Sequence, residues 1–222
     1  MTKKTTLTYL FLSALLILVS SCSSTKEISS WRKPETQQKK FQKVLVIGMI
    51  NSLELRTTFE SKFSAALNKK GIQATGSLAF FGDDLLEVPE NIEAWKPLIA
   101  ELKSDEFDAV LVTKVVGVEG KDSDSGIVRY YNEFFASFEE DLMKNKNIYS
   151  EEEGFKDFQV HQVASNLYCL CERDLEEDLI WKINIELKQA FDSDYLIEEG
   201  IRLFSKKFIE ELKEEDLFIE KN

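Results

Sequence analysis

A chain of 222 residues, 43% hydrophobic and 31% charged, is long enough to bury one sizeable core and too apolar to remain disordered. Its formal net charge of −12 argues against nucleic acid as a partner, because that binding neutralises phosphates with Lys and Arg. A single histidine, His161, leaves little scope for nucleophile–histidine chemistry.

The first 22 residues place a basic start (Lys3, Lys4) before an apolar run from Leu7 to Val19, then Val19-Ser20-Ser21-Cys22. The apolar run is too short to span a bilayer as a transmembrane helix. This order resembles the lipobox of bacterial lipoprotein precursors. The resemblance implies cleavage before Cys22, a diacylglyceryl thioether on its sulfur and a further fatty acyl chain, such as palmitate, on the new amino group. Residues 1–21 would then be a signal peptide.

Residues 22–42 read as a lipidated, flexible tether, with Ser, Thr, Gln and Lys and no apolar period. Between Ser23 and Lys43 it holds six bases against two acids, so the body beyond it is more acidic still. Those bases either lean towards anionic headgroups or simply keep a linker solvated.

A single α/β domain is expected over 43–222. Val44 to Ile50 is a continuous β-branched apolar run, the mark of a strand covered on both faces. Asn51 or Ser52 caps the next helix, whose stripe is Leu55, Phe59, Phe63, Ala66 and Leu67; Gly71 ends it after Lys69-Lys70. Residues 72–78 form a more polar strand near a sheet edge, and 80–89 a loop. A helix over 91–103 carries Ile92, Trp95, Ile99 and Leu102, with a kink or break at Pro97. Residues 107–118, with Ala109-Val110-Leu111-Val112, form a second doubly buried strand.

The stretch at about 119–157 is an aromatic-rich insertion. Tyr131, Phe134, Phe135, Phe138 and Leu142 recur at helical spacing, predicting a helix within 130–144. The stripe is expected to pack on the domain; the alternative is a docking surface for a partner protein. A hairpin follows at about 165–188, with Trp181, Ile183, Ile185 and Leu187 alternating with polar residues as in a half-buried antiparallel strand. A last helix, 194–213, puts Ile197, Ile201, Phe204, Phe208 and Leu212 on one face. The expected fold is thus α/β: a βαβαβ parallel core extended by a C-terminal antiparallel hairpin and a terminal helix, a mixed sheet with helices on both faces.

Lys43-Val44-Leu45-Val46-Ile47-Gly48, Leu55-Arg56, Phe59-Glu60, Lys70-Gly71 and Phe107-Asp108-Ala109-Val110-Leu111-Val112 together resemble a pattern of uncharacterised bacterial envelope lipoproteins. The layout is also similar to small domains of the TolB amino-terminal type, which includes lipoprotein activators of penicillin-binding proteins. That resemblance implies a non-catalytic envelope adaptor.

The remaining chemistry-bearing residues read as structural. No serine or cysteine near His161 lies on a nucleophile motif, and Gly120-Lys121 lacks the other residues of a P-loop. Asp122-Ser123-Asp124-Ser125-Gly126 places Ile127 where a calcium loop needs glycine. Cys169 and Cys171, two apart on a strand, read as two small buried side chains. Neither cofactor nor metal is expected. The leading expectation is an acyl-anchored, non-catalytic interaction module of the bacterial envelope, at the outer membrane, meeting the bilayer through Cys22 and a protein partner with a basic surface. The alternative is an envelope enzyme or small-ligand-binding lipoprotein with its pocket at the carboxyl ends of strands 44–50 and 107–118.

Overall fold

The computed structural model describes residues 25–36, 40–50, 52–82, 88–120, 135–149, 158–170, 178–187 and 194–219. Six strands form one mixed sheet: β1 (Thr25–Arg32), β2 (Lys43–Met49), β3 (Gln73–Gly76), β4 (Ala109–Gly120), β5 (Phe158–Cys169) and β6 (Leu179–Leu187), in spatial order β1-β6-β5-β4-β2-β3. Among the described residues, five α-helices accompany it: α1 (Leu53–Asn68), α2 (Ser77–Phe81), α3 (Ile92–Ser104), α4 (Phe138–Asn145) and α5 (Asp194–Glu214).

The two apolar runs behave as their composition dictates. β2 and β4 are adjacent, parallel and central, with Val44 opposite Ala109 and Met49 opposite Lys114. Val44, Leu45, Val46, Val110 and Val112 are fully buried because helices cover both faces. On one face, α1 and α5 pack Phe59, Phe63, Phe204 and Phe208 against Val46, Leu111, Trp181 and Ile183. Phe63 meets Phe208 edge-on at 5.0 Å and Trp181 meets Phe208 at 5.2 Å, a geometry worth about 0.5–1.5 kcal/mol per pair beyond burial. On the other face, Trp95 and Leu102 of α3 and Phe138 and Leu142 of α4 cover Leu45, Ile47, Val110 and Tyr168.

β3 pairs parallel with β2 at the sheet edge, as its polar composition predicts. Its Ala74 finds both backbone partners in one side chain: the Asn68 amide donates to the Ala74 carbonyl at 2.7 Å and accepts from its N–H at 3.1 Å. β4, β5 and β6 are successively antiparallel, so the hairpin extends the sheet as expected. Ser52 caps α1, its hydroxyl accepting from the Leu55 N–H, and Gly71 (φ +82°) closes the turn after it.

Five features depart from the sequence reading. Residues 25–32, assigned to the flexible tether, form β1, antiparallel to β6 from Thr25 opposite Leu187 to Arg32 opposite Trp181. Backbone pairing to an open edge, rather than apolar alternation, makes this strand, and periodicity is blind to that. Arg32 secures its end by donating to the Thr36 carbonyl and to Glu215 beyond α5. Second, the 72–78 strand stops at Gly76, and Ser77–Phe81 turns into α2. Third, Pro97 lies within an unbroken α3; as the sixth residue of the helix it disturbs only its opening turns. Fourth, β5 begins at Phe158, well before 165. Fifth, the polar face of β6 is not solvated: Lys182 and Asn184 are buried along with Trp181 and Ile183.

Candidate functional site

Three polar arrangements stand out, the first two built inside the core. The first sits at the carboxyl ends of β2 and β3, where Gly48 and Gly76 let α1 approach closely. A Cβ on Gly48 would lie 2.8 Å from Phe59, and one on Gly76 would lie 2.9 Å from the Glu60 Cβ. Arg56 and Glu60, one helical turn apart and each 2% exposed, face inward here. Arg56 Nε donates to Glu60 Oε1 at 3.0 Å and its other arm to Ser77 Oγ at 3.0 Å; Ser77 in turn donates to Glu60 Oε1 at 2.7 Å. The backbone N–H groups of Gly48 and Leu78 complete the carboxylate's shell at 3.0 and 2.9 Å. This cluster fastens β2, β3, α1 and α2 to one another.

The second lies under α4. Asp141, wholly buried, accepts from Lys114 of β4, from Asn145 on its own helix at 2.9 Å, and from Asn166 and Tyr168 of β5 at 2.8 and 2.7 Å. Lys114 also lies over the Phe135 ring, 4.6 Å from its centroid. Burial, then the adjacent Asp141 charge, pushes the Tyr168 hydroxyl well above its ordinary pKa, so it stays protonated as a donor. Among the described residues, the Asn166 Oδ1 of this network has no hydrogen-bond partner.

The third arrangement is a surface groove of about 780 Å³ between α1 and α5, floored by Ala65, Ala66, Ile201 and Ile209. Lys62, Lys69, Lys70, Arg202, Lys206 and Lys213 outnumber Glu198, Glu199 and Glu210 around it, an inversion of the chain's overall charge. Lys62 pairs with Glu198 at 3.1 Å; Arg202 donates to Glu199 and holds that carboxyl below its usual range.

Of the residues singled out by sequence, Phe135 and Phe138 are 6% and 2% exposed, Phe138 edge-on to Trp95 at 5.5 Å. They are core. Tyr131 and Phe134 lie outside the described residues, as does Cys22. His161 stands in β5 between Val118 and Leu187 by register. Cys169 is buried and disulfide-bonded rather than a free thiol, the other half of the bridge lying outside the described residues. Among the described residues, no helix is long and apolar enough to cross a membrane, and no three His, Cys, Asp or Glu side chains group as metal ligands.

The two buried networks escaped sequence reasoning, though each left a trace. Lys114 is a charge in the middle of a strand that opens on the apolar run Ala109–Val112, and Arg56 and Glu60 stand at the spacing of a helical ion pair. Apolar periodicity gives such charges to solvent.

No protein-family model matches the chain, and no curated protein sequence matches it. Solved structures of similar shape include a PelC dodecamer subunit from Paraburkholderia phytofirmans (13% identity, 82% of this chain and 93% of that one, TM-score 0.43). A DUF4136 family protein from Bacteroides thetaiotaomicron is 7% identical over 88% of this chain and 98% of that one, with a TM-score of 0.42. Lipoprotein GNA1162 from Neisseria meningitidis is 8% identical over 76% and 99%, with a TM-score of 0.40.

Proposed function

We propose that the protein is a non-catalytic interaction module of the bacterial cell envelope, held at the outer membrane by acylated Cys22. The observation that carries this reading is the ordered leader ending in Val19-Ser20-Ser21-Cys22. Two structural facts support it. The buried carboxylates Glu60 and Asp141 each use both oxygens to join elements of the fold, which is an architectural role. The disulfide at Cys169 suits an oxidising compartment such as the periplasm.

The adaptor role is the one implied by similarity to the TolB amino-terminal type. Its partner presents a basic patch to the acidic body; the basic α1–α5 groove would repel such a patch, so docking falls elsewhere. In-cell crosslinking of the lipidated chain with mass spectrometry tests this. Reproducible recovery of one envelope protein is expected. A small molecule that co-purifies in native mass spectrometry, with no protein adduct, would favour the ligand-binding alternative.

A further inference from the structure

Cys169 is buried and disulfide-bonded, and the chain holds two other cysteines, Cys22 and Cys171, both outside the described residues. Reach alone decides between them, whatever path residues 22–24 take.

Cys22 stands three residues before Thr25, where β1 begins. Three steps of extended chain cover at most about 11 Å, and bridged cysteines keep their Cα atoms within roughly 7 Å of each other. A bond to Cys22 therefore requires Cys169 to lie within about 18 Å of Thr25. Thr25 pairs with Leu187, and Leu187 with His161. Cys169 is eight residues farther along β5. At about 3.3 Å per residue that is roughly 26 Å, before the two strand spacings between β5 and β1 are added. The other end of β1 gives the same answer: Arg32 is opposite Trp181, which pairs with Leu167, two residues short of Cys169. Cys22 and Cys169 thus belong to opposite ends of β1.

Cys171 has no such distance to cross. β5 ends at Cys169, so the two cysteines do not share one extended strand, where same-face neighbours stand at the limit of a disulfide span. The backbone leading towards Cys171 is held at Cys169, whose N–H donates to the Asp178 carbonyl at 2.8 Å, and at Leu170, whose N–H donates to the Asp108 carbonyl at 2.9 Å.

We infer that Cys169 pairs with Cys171, closing a disulfide across Leu170, and that the fold makes no claim on the sulfur of Cys22. Closure takes one hydrogen from each thiol and passes both, with their electrons, to a disulfide oxidant, which is reduced to two thiols. The pairing holds whether or not Cys22 is acylated. It means that the core disulfide and the lipid anchor form independently, because no cysteine of the domain competes for the sulfur that a diacylglyceryl group would occupy.

The test is disulfide mapping of the full chain extracted from membranes. Free thiols are alkylated with iodoacetamide in denaturant, without reduction, before digestion with trypsin. Both cysteines fall in one tryptic peptide, residues 157–173. The parent should give that peptide unalkylated and two hydrogens lighter than its dithiol form, and doubly alkylated when dithiothreitol is added first. Cys22→Ser should leave the peptide unchanged, whereas Cys171→Ser should make Cys169 alkylatable. Two alkyl groups without reduction, or a bond from this peptide to a second copy, would overturn the pairing and leave the acylation standing. A bond to Cys22, or a Cys169 thiol that becomes alkylatable in Cys22→Ser, would overturn the pairing and the acylation together.

Discussion

Glu60 has both carboxylate oxygens occupied by four donors, and Arg56 is its charge partner in a site with almost no solvent. Glu60→Ala leaves the guanidinium buried without that carboxylate, and urea unfolding should show a loss of about 3–5 kcal/mol. Arg56→Met with Glu60→Leu should cost less than the two single changes added, because the surviving charge is what destabilises each of them. Tyr168 gives a pH signature. Its hydroxyl has a folded pKa raised above the ordinary 10.0, so the fold favours the protonated form. The stability it contributes is fully present below pH 10 and falls as pH rises beyond, since only the unfolded chain readily loses that proton. Unfolding free energy should therefore drop less steeply above pH 10 in Tyr168→Phe than in the parent. Neither network was legible from apolar spacing, which puts Arg56 and Glu60 in water and names no partner for Lys114. They are buried because each meets a partner brought by another element, a fact written in tertiary structure alone.

At the level of elements, the strongest periodic signals translated directly. β2 and β4 were legible because continuous β-branched runs have no polar face to expose, and α5 because Phe204, Phe208 and Leu212 repeat at helical spacing. β1 and α2 were not, since one depends on a vacant edge of β6 and the other on a turn at Gly76. α4 shows where a half-visible signal leads: the aromatic stripe read around it fits a docking face or a core, and burial settles it for Phe135, which precedes the helix, and for Phe138, its first residue. Phe138→Ala should cost about 3–5 kcal/mol in stability, read by thermal or denaturant melting. The contact of α1 with the strand ends makes an equally local prediction. Gly76→Ala forces a methyl to within 2.9 Å of Glu60, and overpacking of this kind costs about 1–3 kcal/mol. A neutral or stabilising result would mean that α1 sits farther from the sheet.

For the whole molecule, the sheet divides into a parallel half, locked by Arg56 and Glu60, and an antiparallel half, locked by Asp141 beneath α4. β1 begins three residues after Cys22 and pairs with the second half, so acylation at Cys22 would tie that half of the sheet to the membrane. The central claim is that Cys22 becomes the acylated amino terminus of an envelope protein. It is tested most directly by metabolic labelling with a fatty-acid probe, combined with membrane fractionation of the parent and Cys22→Ala chains. The account predicts a labelled, membrane-bound parent and an unlabelled variant released from the membrane, because two or more acyl chains are what make such anchoring stable. A Cys22→Ala chain that remained membrane-bound and lipid-labelled would contradict it.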